Sequence, residues 1–453
     1  MSSKSLLGAA AALGLILCGV ALAQSQGQGG ATDDDRFLDV IVILDPAFAP
    51  GAHAANRAAA RRIARGLGVA ARFSYGSAVF GFAARIPEGR LQALENDPRV
   101  LYVDLDAPVA IPVPRTTAPR WCTPDSTHPA CVGDGGDSGG AEVTPWGVDR
   151  IDADLNTGTG AGVHVYVIDT GIDADHPDLQ AHLDNGYAVT SCKGGGCKAS
   201  WDDDHSHGTH VAGTIGAIDN ETGVVGVAPG VTLHAVKVLG KNGSGTRSGV
   251  IAGIDWVAQQ VTMRGEPAVA NMSLGGSGSK SGSCGAGGFT GSDAYHEAIC
   301  NAAHAGVVFA VAAGNEGADA EFAVPAAFDD AVMTVTATSE ADDWPSWSNW
   351  GNGNATDLNP APVALAAPGV NVLSTGMSGG TATKSGTSMA APHVAGAIAL
   401  YLDGYAGGAN YTTFTSARDA LLGTAEPTSG GSSTFANSSG HPHAEHFVDA
   451  SGL

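Results

Sequence analysis

Six short apolar runs between residues 163 and 366 of this 453-residue chain constrain its fold more than any other feature. They are Val163–Ile168, Val231–Val238, Val269–Met272, Val307–Ala313, Val332–Ala337 and Val363–Ala366. Helical stretches such as Ser248–Gln260 and Tyr295–Ala305 lie between them. A strand with one wet face alternates in polarity, whereas a run apolar on both sides must be covered on both. Strands of this kind alternating with helices predict a mainly parallel sheet between two helical layers, a three-layer α/β/α fold over residues 142–453.

The chain ahead of these runs reads as separate pieces. Lys4, the apolar stretch Leu6–Leu22 and the small-x-small pattern of Ala21 and Ala23 predict a signal peptide over residues 1–23. That stretch is short for a membrane anchor and no basic flank follows it, so export is expected, to the periplasm or the exterior. Residues 24–35 are a polar, Gly-rich spacer. Residues 36–106 read as strand Phe37–Leu44, helix Ala54–Gly66, strand Tyr75–Ile86, helix Gly89–Glu95 and strand Val100–Leu105, a small α+β unit of ferredoxin-like type. Residues 107–141 read as a linker, marked by Pro108, Pro112, Pro114, Pro119 and a Gly/Asp tract. No internal repeat is present.

Charge supports the division. Residues 36–106 hold nine Arg against seven Asp and Glu, whereas residues 107–453 hold 12 Lys and Arg against 35 Asp and Glu. A net charge of −23 opposes binding to nucleic-acid phosphate. Loss of Cys18 with the signal leaves six cysteines, an even count that implies three disulfides in an exported chain. Their spacing favours Cys122–Cys131, Cys192–Cys197 and Cys284–Cys300. There is no CxxC pair to suggest zinc.

Four segments carry candidate chemistry. VHVYVIDTGID ends a strand at Asp169, and SHGTHVAGT places His207 and His210 at a helix start. VFAVAAGNEG runs a strand into Gly314 and Asn315, and SGTSMAAPHVAGAIAL begins a helix at Ser388. Taken singly these are a turn aspartate, a capping histidine, a loop asparagine and an N-cap serine. Together, in the order Asp169, His207, Ser388, they resemble the subtilisin family of serine proteases, the subtilisins and proteinase K included, over roughly residues 142–453. A serine hydroxyl is a weak nucleophile unless a neutral imidazole takes its proton, and a carboxylate fixes that imidazole's tautomer. The resemblance therefore implies Ser388 as nucleophile, His207 as general base and then acid, and Asp169 as its orienter. Asn315 would stabilise the oxyanion with the Ser388 N–H. No catalytic cofactor is implied.

The same resemblance extends further. ANMSLGG is similar to the strand that pairs with substrate, which implies that Ser273, Leu274, Gly275 and Gly314 bind a protein or peptide. Large apolar P1 side chains are expected, with Glu316 tilting the pocket toward basic ones. RFLDVIVIL and RVLYVDLDAPV resemble the family's inhibitor-like propeptide, which implies that residues 36–106 block the cleft of a monomeric enzyme until a cut between Asp106 and Cys122. A structural Ca²⁺ is implied on Asp178, Asn220, Glu142 and the carbonyls of Ile218, Thr222 and Val224, hard oxygen donors all. Ala364 stands where proteinase K has an aspartate ligand for a different calcium, so that second site is not expected. His441, His443 and His446, and the run Asp202–Asp204, read as solvated loops. The competing expectation is an inactive relative that acts as a binding protein.

Overall fold

The structure is a computed structural model that describes residues 36–113, 141–351, 362–426 and 445–453. The expected signal peptide, the spacer, most of the linker, the pair Cys122–Cys131 and the two histidines His441 and His443 lie outside the described residues.

Eight strands form the central sheet, in the spatial order His446–Phe447, Val363–Pro368, Met333–Thr338, Val307–Ala312, Ala268–Met272, His164–Asp169, Thr232–Lys237 and Leu183–Ala188. Every neighbouring pair is parallel. Successive side chains of a strand point to opposite faces, so each strand feeds two cores. Val165 and Val167 join one core with the helices His207–Gly216, Thr387–Leu402 and Tyr411–Thr424. Tyr166 and Ile168 join the other with Arg247–Arg264 and Ala294–His304. This is the expected three-layer fold, with a wholly parallel sheet.

All six apolar runs are strands of this sheet. The two remaining strands lie at its edges and carry no such signature. LDNGYA at 183–188 is half wet, and His446–Phe447 has only two residues. His446 is thus part of the sheet edge and not of a solvated loop. Chain order reverses between His164–Asp169 and Ala268–Met272. The next two strands go to one side of His164–Asp169 and all later ones to the other. In open parallel sheets such a reversal opens a crevice at the strands' carboxyl ends.

The unit ahead is an antiparallel sheet in the order Ala71–Tyr75, Gly81–Pro87, Phe37–Leu44 and Val100–Leu105, with helices His53–Gly66 and Leu91–Glu95. Val40, Val42, Leu44 and Phe82 fill its own core. The expected single strand Tyr75–Ile86 is two strands. The turn between them gives its N–H groups at Gly76, Ser77 and Ala78 to the Asp255 carboxylate, at 3.0, 2.6 and 2.9 Å. The sheet's outer face, Ile41, Ile43 and Ala83 with Tyr75, packs on the helices Arg247–Arg264 and Ala294–His304. Asp106 accepts from Ser248 N at 2.9 Å and Asp104 from Ala294 N at 2.7 Å. Each carboxylate thereby caps a helix start whose N–H groups lack intrahelical partners.

Residues 108–110 belong to no loose linker. They form a strand antiparallel to Ser244–Thr246. Two of the expected disulfides are present, Cys192–Cys197 and Cys284–Cys300. Among the described residues no helix is long and apolar enough to cross a membrane.

Candidate active site

Asp169 is the last residue of its strand and is fully buried. The chain turns at Gly171 and returns through Ser206, whose φ of +85° is left-handed, to start a helix at His207. That helix start presses on the strand end. A Cβ at Gly208 would lie 2.1 Å from the Gly171 carbonyl oxygen, so only glycine fits. Gly208 N donates to Thr170 Oγ1 at 2.9 Å. His207 Nδ1 consequently meets Asp169 Oδ1 at 2.8 Å and Oδ2 at 3.0 Å, with the imidazole 6% exposed. A carboxylate accepts, so Nδ1 carries the proton and Nε2 is left as an acceptor. Nε2 has no hydrogen-bond partner among the described residues.

Ser388 is the second residue of the helix Thr387–Leu402 and is buried. Its Oγ donates to the Ser273 carbonyl at 3.4 Å, a long bond, and not to His207 Nε2. The Ser388 carbonyl accepts from Ser273 Oγ at 2.8 Å, and Ser273 Oγ accepts from Asn271 Nδ2 at 2.9 Å. Asn271, which the sequence reading passed over, thus supports the segment that carries Ser388. Asn315 is fixed from one side. Its Oδ1 accepts from Thr387 N and Oγ1, both at 2.9 Å, so its Nδ2 points into the cleft. There it donates to the Pro112 carbonyl at 2.7 Å.

The cleft holds residues 108–113, of which Pro108–Ala110 form an added strand. Ala110 and Gly275 exchange N–H···O bonds at 2.9 and 3.0 Å, and Ile111 N donates to the Gly243 carbonyl at 3.0 Å. Leu274 and Gly314 line an adjoining hollow of about 410 Å³ with Phe322, Val324 and Glu316. Glu316 is held by Asn349 Nδ2 at 2.8 Å.

The residues expected to hold calcium also come together. Asp178 Oδ1 accepts from Asn220 Nδ2 at 3.4 Å, Asp178 Oδ2 from Val224 N at 3.2 Å, and Glu142 Oε1 from Asn220 N at 2.9 Å. The loop closes tightly on Asp178, since a Cβ at Gly223 would lie 2.0 Å from Oδ2. Burial, and then the neighbouring Asp219 and Asp178, raise the Glu142 carboxyl pKa. Oxygen donors of this kind suit a hard divalent cation.

Asp202–Asp204 correct the expectation of a solvated loop. Asp202 and Asp203 are buried. Asp203 accepts from Thr209 N at 3.0 Å and from Thr209 Oγ1 at 2.7 Å, and Asp204 pairs with Lys237 at 2.6 Å. Asp202 also accepts from Ala174 N at 3.0 Å, and it is this partner and Lys237 that three charges in a row do not announce locally.

Comparison with known proteins agrees with this geometry. The subtilase family model, Peptidase_S8, matches residues 160–442. The chain is 40% identical to the "Extracellular serine proteinase" of Thermus sp. (strain Rt41A) over 73% of its own length and 68% of that protein's. It is 39% identical to "Subtilisin DY" of Bacillus licheniformis over 58% of its own length and 86% of that protein's. It spans 61% of the "Subtilisin-like protease 1" of Arthroderma otae at 35% identity. The crystal structure of a cold adapted subtilisin-like serine proteinase aligns with a TM-score of 0.53 at 37% identity, covering 67% of this chain and 97% of that one. The chain belongs to the subtilase family and is a serine-type endopeptidase.

Proposed function

We propose that this protein is a secreted endopeptidase that works through Asp169, His207 and Ser388 and is made as a self-blocked precursor. The observation that carries this is the Asn315 amide aimed at the carbonyl of Pro112, in a chain segment paired with the cleft as a substrate strand would be. Ser388 Oγ adds to such a carbonyl carbon while His207 Nε2 takes its proton. The oxyanion then lies between Asn315 Nδ2 and the Ser388 N–H. His207 next protonates the departing amine, and water repeats the sequence to release the acyl group. Asp169 holds the imidazole and stabilises its charged form.

Residues 36–106 act as the blocking unit, with the tail 107–113 lying in the cleft, and 142–453 as the catalytic unit. The Pro112–Val113 bond is the one presented for self-cleavage, within the interval between Asp106 and Cys122. Secretion is supported by the N-terminal signal pattern, by the disulfides and by the Thermus relative's description as extracellular. Substrates are proteins or peptides, with large side chains accepted beside Leu274 and Gly314. Asp178, Asn220 and Glu142, with the carbonyls of Ile218, Thr222 and Val224, would hold a Ca²⁺, which would supply stability.

The test is to express the full chain and Ser388→Ala. The parent should mature to a product that starts at Val113 and reacts with a fluorophosphonate, while Ser388→Ala remains whole and unlabelled. A folded parent inert to the reagent would establish the binding-protein reading instead, and a mature product that retains Phe37 would remove the precursor reading.

A further inference from the structure

Lys237 is the last residue of the strand Thr232–Lys237, and its side chain is fully buried. Removing an ammonium from water costs several kcal/mol unless its donors are satisfied. Here all three are. Nζ donates to the Thr170 carbonyl, to Asp204 Oδ1 at 2.6 Å and to the Leu239 carbonyl at 3.2 Å. Thr170 follows Asp169 directly, and its N–H donates to Asp169 Oδ1 at 2.7 Å. The Asp169 carbonyl accepts from Val238 N and Leu239 N, at 2.9 and 3.1 Å. Asp204 lies three residues before His207, and its Oδ2 accepts from Lys193 N at 2.8 Å in the loop closed by Cys192–Cys197. One buried cation therefore joins the strand end that carries Asp169 to the segment that leads into His207.

We propose that Lys237, acting with Asp204, is a positioning residue for the Asp169–His207 pair. The pair is held by bonds of 2.8 and 3.0 Å between groups on two separate segments. Thr170 Oγ1 and Gly208 N join those segments on one side. The Lys237–Asp204 pair is a further tie, beside the bonds of Asp203 N to the Ile172 carbonyl at 3.2 Å and of Asp173 N to Thr209 Oγ1 at 3.0 Å, and it alone among them uses a buried charge pair. A shift of about 1 Å in such a constellation costs up to about 100-fold in rate, whereas neither side chain hydrogen-bonds to Gly243, Ser244 or Gly275, which pair with residues 108–111.

This rests on the reading of Asp169 and His207 as orienter and base. The test compares the matured parent with Lys237→Met, Asp204→Asn, the double variant and Asp169→Asn. Lys237→Met and Asp204→Asn should each lower kcat about 10- to 100-fold with KM within about threefold. The double variant should be no slower than the worse single one, as expected for one network. The far-downfield proton resonance of the His207 Nδ1–H should broaden or move in both single variants. If Lys237→Met does not fold, Asp204→Asn decides alone, since its side chain is already partly at the surface (10% exposed). Folded variants that keep parental kcat and the parental resonance overturn the proposal, and so do additive losses that follow melting temperature alone. Failure of the underlying reading looks different, because Asp169→Asn would then retain activity.

Discussion

Asn315 illustrates how much of the site is set by single side-chain orientations. An amide can present either end to a ligand, and here Thr387 fixes which. With both Thr387 donors on Oδ1, only Nδ2 faces the cleft. Asn315→Ala should therefore lower kcat about 10²- to 10³-fold with little change in KM, the magnitude known for removal of one such donor in subtilisin. Steady-state kinetics on a peptide substrate check this, and a loss confined to KM would contradict the oxyanion role. Thr387 carries no functional signature of its own in the sequence. Its part was legible only as a neighbour of Ser388.

Two elements hold the machinery together from outside the crevice. The helix Arg247–Arg264 bears Asp255, whose carboxylate gathers three N–H groups of the 76–78 turn and lies 3.4 Å from Arg57. Burial raises its pKa and the same N–H groups oppose that rise. Asp255→Ala leaves those donors without their carboxylate at the interface, so it should weaken the hold of residues 36–112 after cleavage by tens-fold or more. Earlier appearance of activity during maturation is the expected readout. The helix Ala294–His304 is tied to the Ser283–Thr290 hairpin by Cys284–Cys300, a sequence separation of 16. A closed loop of that length contributes roughly 3 kcal/mol through the unfolded chain. Cys284→Ser/Cys300→Ser in an inactive Ser388→Ala background should lower the urea midpoint accordingly, with the fold retained.

At the scale of the whole molecule, buried neutral histidines and the proposed calcium site bear on the conditions the fold withstands. Burial pushes His210 down to about 3, and His234 and His393 to about 4. In the unfolded chain each titrates near the usual ~6.5. Between that value and the folded ones the unfolded state binds more protons, so stability present above pH ~6.5 drains away as pH falls toward 4 and below. Urea midpoints of Ser388→Ala measured from pH 7.5 to 4 should fall, and the slope should be shallower in His234→Gln. Equal slopes would remove His234 from the account. Chelation of Ca²⁺ should lower the melting temperature by several degrees, and Asp178→Asn should abolish that sensitivity.

The amino-acid sequence by itself determined the six core strands and their helical partners, and its motifs taken together named Asp169, His207, Asn315 and Ser388 as candidates. Those depend on short strings that code for a local backbone and a specific side chain, and an apolar run buried on both faces admits few other structures. Only the tertiary structure decided the rest. It found two edge strands whose half-wet residues give no periodic signal, and it split Tyr75–Ile86 because Asp255, about 180 residues away, takes the turn's N–H groups. It turned residues 108–113 from linker into the occupant of the cleft. It also buried Asp202 and Asp203 and joined Asp204 to Lys237. The 76–78 turn and the Asp204–Lys237 pair rest on polar groups that are costly to bury alone and stable beside partners far along the chain, and sequence read locally does not contain that pairing.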